Sequence, residues 1–269
     1  MKQIRFNQYG VENEPHLLFI HGAFLSSRMW EKQVKYFKKY FCVITYDLRA
    51  HGVNRGISEN LSFEQYSDDL KQIIDQLGGR EKPIICGLSL GGMVAQHFAV
   101  RYPDYYKALI LCDTSVSMSL TLWDKMMHIL FPRWIIVNLV RFYTIESYVK
   151  QSFLIARLTR GRKWLGNRDT VAYEREEMLQ MNKGDWMKVF NLLYTFRKQK
   201  LTKIQKPTLI VLGQYEPKSI FKHAEIFKKE LSDVKIEVIE NAGHVPNLDQ
   251  PAKFNDVVHN FVNSRNPVK

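Results

Sequence analysis

Cysteine is scarce in this chain of 269 residues, which contains only Cys42, Cys86 and Cys112. An odd and sparse set within or beside apolar runs does not fit a disulfide framework, and it predicts reduced, buried thiols. The first ten residues, MKQIRFNQYG, lack the apolar stretch of a signal peptide. We therefore expect a cytoplasmic protein.

The chain also lacks a long uninterrupted apolar run. Its most lipid-like stretch, ILFPRWIIVNLVRFY, is broken by a proline, two arginines and an asparagine, so a membrane-spanning helix is not expected. The sequence contains no H-E-x-x-H motif, no cluster of Cys and His, no G-x-G-x-x-G and no Gly-Lys-Ser/Thr. These absences leave no support for a metal, dinucleotide or nucleotide site, and we expect no cofactor.

Acidic residues are too few to balance the basic ones, which leaves a net charge of +12. The excess is uneven, because residues 115–200 hold 15 Lys and Arg against 7 Asp and Glu, whereas the remainder holds 24 against 20. Such a region can attract an anionic substrate or a lipid surface. Nucleic acid is not favoured, since no motif that interleaves aromatic and basic residues is present.

Short apolar runs alternate with amphipathic segments along most of the chain. Several runs are apolar almost throughout, as expected for parallel strands covered on both faces. Between them lie helical patterns such as SFEQYSDDLKQIIDQLGG, where Ser62 and Gln65 form a capping-box pattern and Gly78 follows the last turn. The order predicts an α/β fold with a mostly parallel central sheet flanked by helices. The strand predictions are HLLFIHG (16–22), FCVITYDL (41–48), KPIICGLS (82–89), YKALILCDT (106–114), KPTLIVLG (206–213) and KIEVIEN (235–241).

Residues 116–200 interrupt this alternation. They are rich in Trp, Met, Leu and Arg at helical spacing and contain no convincing strand pattern. We therefore predict a helical cap at 116–200, inserted into a core formed by 1–115 and 201–269. The cap would supply apolar side chains to a substrate site, namely Trp123, Met126, Met127, Phe131, Trp134 and Trp164.

One serine stands where the third predicted strand ends and a helical pattern begins. Gly87-Leu88-Ser89-Leu90-Gly91 matches G-x-S-x-G, the pattern of a sharp strand-to-helix turn that exposes a serine hydroxyl. The crowded backbone of such a turn favours glycine two positions before and two after the serine. Ser89 is therefore a candidate nucleophile. The alternative is that its hydroxyl only caps the helix.

A serine hydroxyl needs a hydrogen-bonded base to act as a nucleophile at neutral pH. Of the eight histidines, His244 follows the last predicted strand in a turn-rich loop, which places it at the same edge of the sheet as Ser89. His21 and His51 belong to two His-Gly turns, and we expect them to hold loops in place. His244 is therefore the candidate base.

Several stretches resemble the α/β-hydrolase fold family, and the resemblance covers nearly the full chain. HGAFLSSRMW resembles the family's oxyanion loop, and NAGHVPNLDQP its C-terminal histidine loop. YDLRAHG resembles the Asp-x-Arg-Gly-His-Gly stretch, with Ala50 where glycine is usual. GLSLGGMVAQ and a helical cap are most similar to small esterases and lactonases such as the enol-lactone hydrolases.

The resemblance implies a Ser-His-acid triad and an oxyanion hole. Glu216 stands where the family usually has aspartate, while Asp113 ends another strand at the same edge of the sheet, so both remain candidates for the acid. The backbone N–H of Leu90 is expected to serve the oxyanion, together with that of Ala23 or, as an alternative, Phe24.

The predicted function is hydrolysis of a carboxylic ester or lactone, most simply an apolar one, through an acyl-enzyme intermediate. Two alternatives remain open. Glutamate in place of aspartate at position 216 leaves room for a ligand sensor or weakly active binding protein on the same scaffold. A C–C bond hydrolase is also compatible with the fold.

Overall fold

A central seven-stranded sheet organises the chain in a computed structural model that describes residues 4–10, 15–57, 59, 61–78, 82–118, 120 and 142–265. The strand order is β1-β3-β2-β4-β5-β6-β7, and every neighbouring pair is parallel except β1 and β3. The strands are β1 (Phe6–Tyr9), β2 (His16–Ile20), β3 (Cys42–Tyr46), β4 (Ile84–Leu88), β5 (Ala108–Cys112), β6 (Thr208–Gly213) and β7 (Val234–Ile239). The six predicted strands and the mostly parallel sheet are therefore confirmed.

The edge strand β1 was not predicted. Its sequence, FNQY, leaves three of its four residues exposed, so it has no apolar run to distinguish it from a loop. It pairs with β3 in antiparallel register, with Phe6 opposite Tyr46 and Tyr9 opposite Val43.

Helices cover both faces of the sheet, which explains why the inner strands are apolar throughout. Successive residues of β2 point to opposite faces: Leu18 belongs to one buried cluster and Leu17 to the cluster on the other side of the sheet. The described α-helices are α1 (Glu31–Phe37), α2 (Phe63–Leu77), α3 (Leu90–Arg101), α4 (Ile145–Arg160), α5 (Arg168–Gln180), α6 (Lys183–Thr195), α7 (Lys218–Glu230), α8 (Pro246–Asp249) and α9 (Pro251–Arg265).

Local signals fix the ends of α2 as predicted, with one difference. Ser62 accepts a hydrogen bond from the backbone N–H of Gln65 at 3.0 Å, and Gly78 ends the helix with a φ of 59°. The side chain of Gln65 does not complete the reciprocal half of the capping box, because its amide donates to Asp69 at 3.0 Å. That carboxylate also forms a buried ion pair with Arg49.

The described part of the predicted cap, residues 142–200, consists of α4, a 3₁₀ turn (Arg162–Leu165), α5 and α6. We call it the helical segment. It lies between β5 and β6 in the chain, and no strand occurs in it. Five of the six predicted apolar cap residues fall outside the described residues, namely Trp123, Met126, Met127, Phe131 and Trp134.

Two further expectations concern cysteines and membrane spans. Cys42, Cys86 and Cys112 are buried thiols that form no disulfide, as predicted. Within the described ranges, no helix has the length and apolar character needed to cross a bilayer.

Candidate active site

Ser89 occupies a strained turn between β4 and α3. Its φ of 51° and ψ of −112° lie outside the usual regions, and its backbone N–H donates to the carbonyl of Cys112 at 2.9 Å. A Cβ on Gly87 would lie 2.3 Å from the carbonyl oxygen of Gly91, and one on Gly91 would lie 2.3 Å from that of Ile20. The predicted steric role of both glycines is confirmed. The Ser89 hydroxyl makes no capping hydrogen bond, so the helix-cap alternative is wrong.

His244 lies in the loop between β7 and α8 and faces this turn. Its Nε2 is 3.2 Å from Ser89 Oγ. The backbone N–H of His244 donates to the carbonyl of Trp164 at 3.0 Å, and the two rings stack with centroids 4.8 Å apart and planes at 27°. The helical segment therefore fixes both the backbone and the ring of His244.

Glu216 lies in the loop after β6, and its carboxylate contacts Nδ1 of His244. Its second oxygen accepts a hydrogen bond from Trp164 Nε1 at 3.1 Å, and the side chain is fully buried. With the Nδ1 proton directed to Glu216, Nε2 of His244 is left to accept the hydroxyl proton of Ser89. The structure thus brings Ser89, His244 and Glu216 together in one hydrogen-bonded chain.

The backbone at the end of β6, three residues before Glu216, lies close to the backbone of the histidine loop. A Cβ on Gly213, the last residue of β6, would lie 1.9 Å from the carbonyl oxygen of Gly243. The end of β6 and the histidine loop are therefore in direct contact. From this position the longer glutamate side chain reaches His244.

Asp113, the other candidate acid, has different partners. Its Oδ1 accepts the N–H of Gly213 at 2.9 Å, and its buried Oδ2 has no hydrogen-bond partner among the described residues. Burial raises the pKa of Asp113 well above its ordinary value, and the negative charge of Glu216 adds to the effect. Burial therefore favours the uncharged form of Asp113, and its described hydrogen bond is to Gly213 and not to His244.

His21 and His51 hold loops in place, as predicted, and their hydrogen bonds connect the two His-Gly turns. His21 Nε2 accepts the N–H of Leu48 at 2.9 Å, and His51 Nε2 accepts the N–H of Phe24 at 3.1 Å. Desolvation lowers the pKa of His21, and desolvation together with the neighbouring His21 ring lowers that of His51 to about 3. Both rings are therefore neutral. Because Phe24 gives its N–H to His51, Ala23 is left as the candidate oxyanion donor of this loop.

Ser89 and His244 open into a cavity of about 300 Å³ beneath the helical segment. Ala23 and Phe24 line the same cavity, while Leu90 begins α3 directly after Ser89. Trp164, the one predicted apolar cap residue that the structure describes, also lines it. Most of the remaining wall is apolar: Leu25, Met93, Met118, Phe153, Ala156, Leu165, Met178, Leu193 and Ile220.

Two ionisable side chains from the helical segment join this apolar wall. The Arg160 guanidinium lies 4.5 Å from the ring centroid of Trp164, and it forms no ion pair with any described residue. Burial raises the pKa of Glu174 to about 8, with a further contribution from the charge of Asp249. At neutral pH the cavity therefore presents a cation and an uncharged carboxyl group.

The burial of Glu174 predicts a stability change with pH. The unfolded chain releases this proton near 4.5 and the folded chain near 8, so ionisation costs folding stability as pH rises between these values. Glu174→Gln should raise stability above pH 8 by about 1–2 kcal/mol, or about 2–8 °C in Tm, and have little effect below pH 4.5. Thermal unfolding of the wild type and of Glu174→Gln, from below pH 4.5 to above pH 8, measures this change in stability. Glu225→Gln, at an exposed position of α7, is the control. A gain that does not depend on pH would contradict the assignment.

Sequence reasoning missed the residues that join the helical segment to the histidine loop. Trp164 contacts both His244 and Glu216, although its sequence position indicated only an apolar residue. Asp249 accepts hydrogen bonds from the N–H of Asn167 at 2.9 Å and the N–H of Gly243 at 2.8 Å. The acidic residue after the histidine was a visible signal for the second contact, but nothing in the sequence indicated its partners.

Metal ligands were not expected, and the described residues contain no group of three His, Cys, Asp or Glu side chains that could hold a metal ion. Two carboxylates close to Ser89 have described hydrogen-bond partners. Glu216 is bound to His244 and Trp164, and Asp113 is bound to Gly213.

Comparisons with known proteins agree with this architecture. The sequence model described as alpha/beta hydrolase fold matches residues 15–251. The chain is 26% identical to 3-oxoadipate enol-lactonase 1 of Acinetobacter baylyi, over 95% of this chain and 91% of that protein. It is 25% identical to the uncharacterized carboxylesterase nap of Bacillus subtilis, over 95% of this chain and 81% of the relative. MenH of S. aureus shares the fold, with a TM-score of 0.83, 22% identity and coverage of 98% and 99% of the two chains.

Proposed function

The chain belongs to the alpha/beta hydrolase fold family, and we propose that it is a serine hydrolase that cleaves a carboxylic ester or lactone through an acyl-enzyme intermediate. The observation that carries the proposal is the hydrogen-bonded chain from Ser89 through His244 to Glu216, which opens into a cavity. Relatives that are named as an enol-lactonase and a carboxylesterase support the same reaction class.

In the first half of the reaction, the Ser89 hydroxyl attacks the carbonyl carbon of the substrate. His244 Nε2 accepts the hydroxyl proton as the new C–O bond forms, and Glu216 stabilises the imidazolium that results. The negative charge on the carbonyl oxygen is stabilised by the backbone N–H groups of Leu90 and Ala23. Because these donors belong to the backbone, apolar side chains at both positions are compatible with the role.

Collapse of the tetrahedral intermediate breaks the bond to the leaving alkoxide, which takes the proton back from His244. An ester releases an alcohol at this step, whereas a lactone keeps its new hydroxyl on the acyl chain. A water molecule then attacks the acyl-enzyme, with His244 again accepting a proton. The second tetrahedral intermediate releases the carboxylic acid and restores the Ser89 hydroxyl.

The helical segment belongs to the cap predicted at 116–200, inserted into a core of 1–115 and 201–269, and in this proposal it shapes the substrate. Its side chains supply much of the apolar wall of the cavity, including Phe153, Leu165 and Met178. An apolar acyl or ring-bearing substrate fits that lining. Arg160 adds a cation that forms no ion pair with any described residue, which would favour a substrate with an anionic group.

A fluorophosphonate probe tests the nucleophile directly, because it forms a covalent bond only with an activated serine. We expect rapid labelling of the folded protein, with the modified peptide containing Ser89. A panel of p-nitrophenyl esters of varied chain length, with lactones alongside, then measures kcat/KM. Labelling that is absent from folded protein would contradict the proposal.

The alternative of a ligand sensor rested on glutamate at position 216, and the contact between Glu216 and His244 gives it no further support. Slow or absent turnover on the panel, with ligand binding retained, is the result that would favour a sensor. The C–C bond hydrolase remains an alternative substrate class for the same nucleophile. Cleavage of a β-diketone in preference to esters would favour it.

Trp164 is a positioning residue in this proposal, since its ring stacks on His244 and its Nε1 donates to Glu216. Trp164→Phe should lower kcat about 10-fold and Trp164→Leu about 100-fold, because the first retains the ring contact and the second loses both contacts. Phe153→Leu changes an aromatic wall of the same cavity and should alter KM more than kcat. Equal effects of all three variants on KM alone would show that Trp164 is only part of the wall.

A further inference from the structure

Helix α4 has two distinct faces: one lines the cavity, and the other is exposed to solvent. Toward the cavity it presents Ser152, Phe153, Ala156 and Arg160. On the opposite side of the helix lie Leu154, Ile155 and Leu158, which are 55%, 58% and 76% exposed. Val149 is its one fully buried residue. A helix face with three large aliphatic side chains in water is unusual unless something else covers it.

Basic residues surround this apolar stripe. From position 150 to position 168 the chain contains six Lys and Arg and no Asp or Glu. Arg157 and Arg162 line a groove of about 630 Å³ together with Arg168 and Arg175 from α5. None of these four arginines forms an ion pair with any described residue. The acid in the groove lining, Glu176, pairs with Arg28 at 2.9 Å, and the same guanidinium also pairs with Glu177 at 3.0 Å.

We propose that this face of the molecule, formed by Leu154, Ile155 and Leu158 with the four groove arginines, docks on an anionic lipid surface. We call it the docking face. A lipid bilayer offers both chemistries that the docking face requires, since its headgroup layer carries negative charge and its acyl region accepts aliphatic side chains. The lining of the groove also contains four apolar residues, Leu165, Val171, Ala172 and Leu179.

A second copy of the chain is a poorer occupant of the docking face. In a two-fold symmetric contact the same patch meets itself, so the four arginines of one copy would approach those of the other. The described part of the groove contains no free carboxylate to balance them, because Glu176 is already paired. Charge complementarity therefore favours an anionic surface over self-association.

Docking in this orientation would place the cavity side of α4 one helix diameter from the lipid. The proposal does not depend on the reaction at Ser89, because it concerns the outer face of the helical segment. If the proposed hydrolase activity holds as well, an amphiphilic ester dissolved in the membrane would have a short path to the cavity.

Co-sedimentation with vesicles tests the docking face in the full chain. We expect binding to vesicles of phosphatidylcholine mixed with phosphatidylglycerol, no binding to phosphatidylcholine alone, and a steep loss of binding as salt rises. Arg157→Gln/Arg162→Gln should weaken binding about 25-fold, since each basic residue near an anionic surface contributes about 5-fold. Ile155→Asn/Leu158→Asn should weaken the binding that persists at high salt.

Lys228→Gln/Lys229→Gln is the matched control, because it removes the same charge from exposed positions at the end of α7. Its binding should stay within about 3-fold of wild type. Unchanged melting temperatures check that every variant is folded. An equal loss in the control, no vesicle binding at low salt, or self-association that depends on Leu158 would each overturn the proposal.

Discussion

Replacing Ser89 by alanine is expected to lower kcat about 10⁶-fold, to the level that substrate binding and oxyanion stabilisation alone sustain. The variant removes one oxygen atom from a turn whose shape is set by backbone contacts, such as the 2.9 Å hydrogen bond from Ser89 N–H to Cys112. Alanine retains that N–H, so the fold should survive. Steady-state kinetics on the best ester of the panel, with titration of any residual wild-type contaminant, measures the effect.

Ser152→Ala is the matched control for this prediction. Ser152 also places a hydroxyl on the cavity wall, but its Oγ donates to the carbonyl of Tyr148 at 2.9 Å and carries no link to His244. We expect kcat within about 3-fold of wild type and continued fluorophosphonate labelling. If Ser89→Ala kept its activity while Ser152→Ala lost it, the nucleophile would be assigned to the wrong serine.

The sequence was informative wherever a local pattern has one structural solution. Short apolar runs predicted six strands, β2 to β7, and the five inner ones, β2 to β6, are buried throughout because helices cover both faces of the sheet. The sixth, β7, is an edge strand and is only partly buried. The turn around Ser89 follows from two glycines whose Cβ atoms would collide with backbone oxygens. β1 has no comparable signal, because an exposed edge strand has no apolar face that its sequence must maintain.

The contacts across the cavity could not be predicted in the same way. Trp164 meets Glu216 from 52 positions away, and Asp249 meets Asn167 from 82 positions away. Such contacts depend on how the helical segment packs on the sheet. The local sequence around either residue of a pair does not specify that packing. The positions of Arg160 and Glu174 in the cavity could not be predicted either, since a charged residue on a helix normally points to solvent.

The choice between Glu216 and Asp113 shows where sequence reasoning ended. Both follow neighbouring parallel strands, β5 and β6, and both therefore end at the same edge of the sheet. The contact between Gly213 and Gly243 decides which carboxylate meets His244, because it positions the histidine loop beside β6. Asp113 is left to accept the N–H of Gly213.

The different partners of Glu216 and Asp113 predict a large loss of activity for one nearly isosteric substitution and almost none for the other. Glu216→Gln should lower kcat about 10⁴-fold, because an amide cannot stabilise the imidazolium and can hold His244 in the wrong tautomer. Asp113→Asn should leave kcat within about 3-fold of wild type, since the described hydrogen bond of Asp113 is not to His244 and an asparagine oxygen can accept the same N–H of Gly213. Steady-state kinetics on one ester at neutral pH compares them.

Two further measurements separate the role of charge from that of reach. Glu216→Asp keeps the charge but shortens the side chain by about 1.5 Å, so it should lose about 100-fold in kcat. The double variant Glu216→Gln/Asp113→Asn should be no worse than Glu216→Gln alone, because the described hydrogen bond of Asp113 is to Gly213 and not to His244. Activity that survives Glu216→Gln and disappears with Asp113→Asn would transfer the acid role to Asp113.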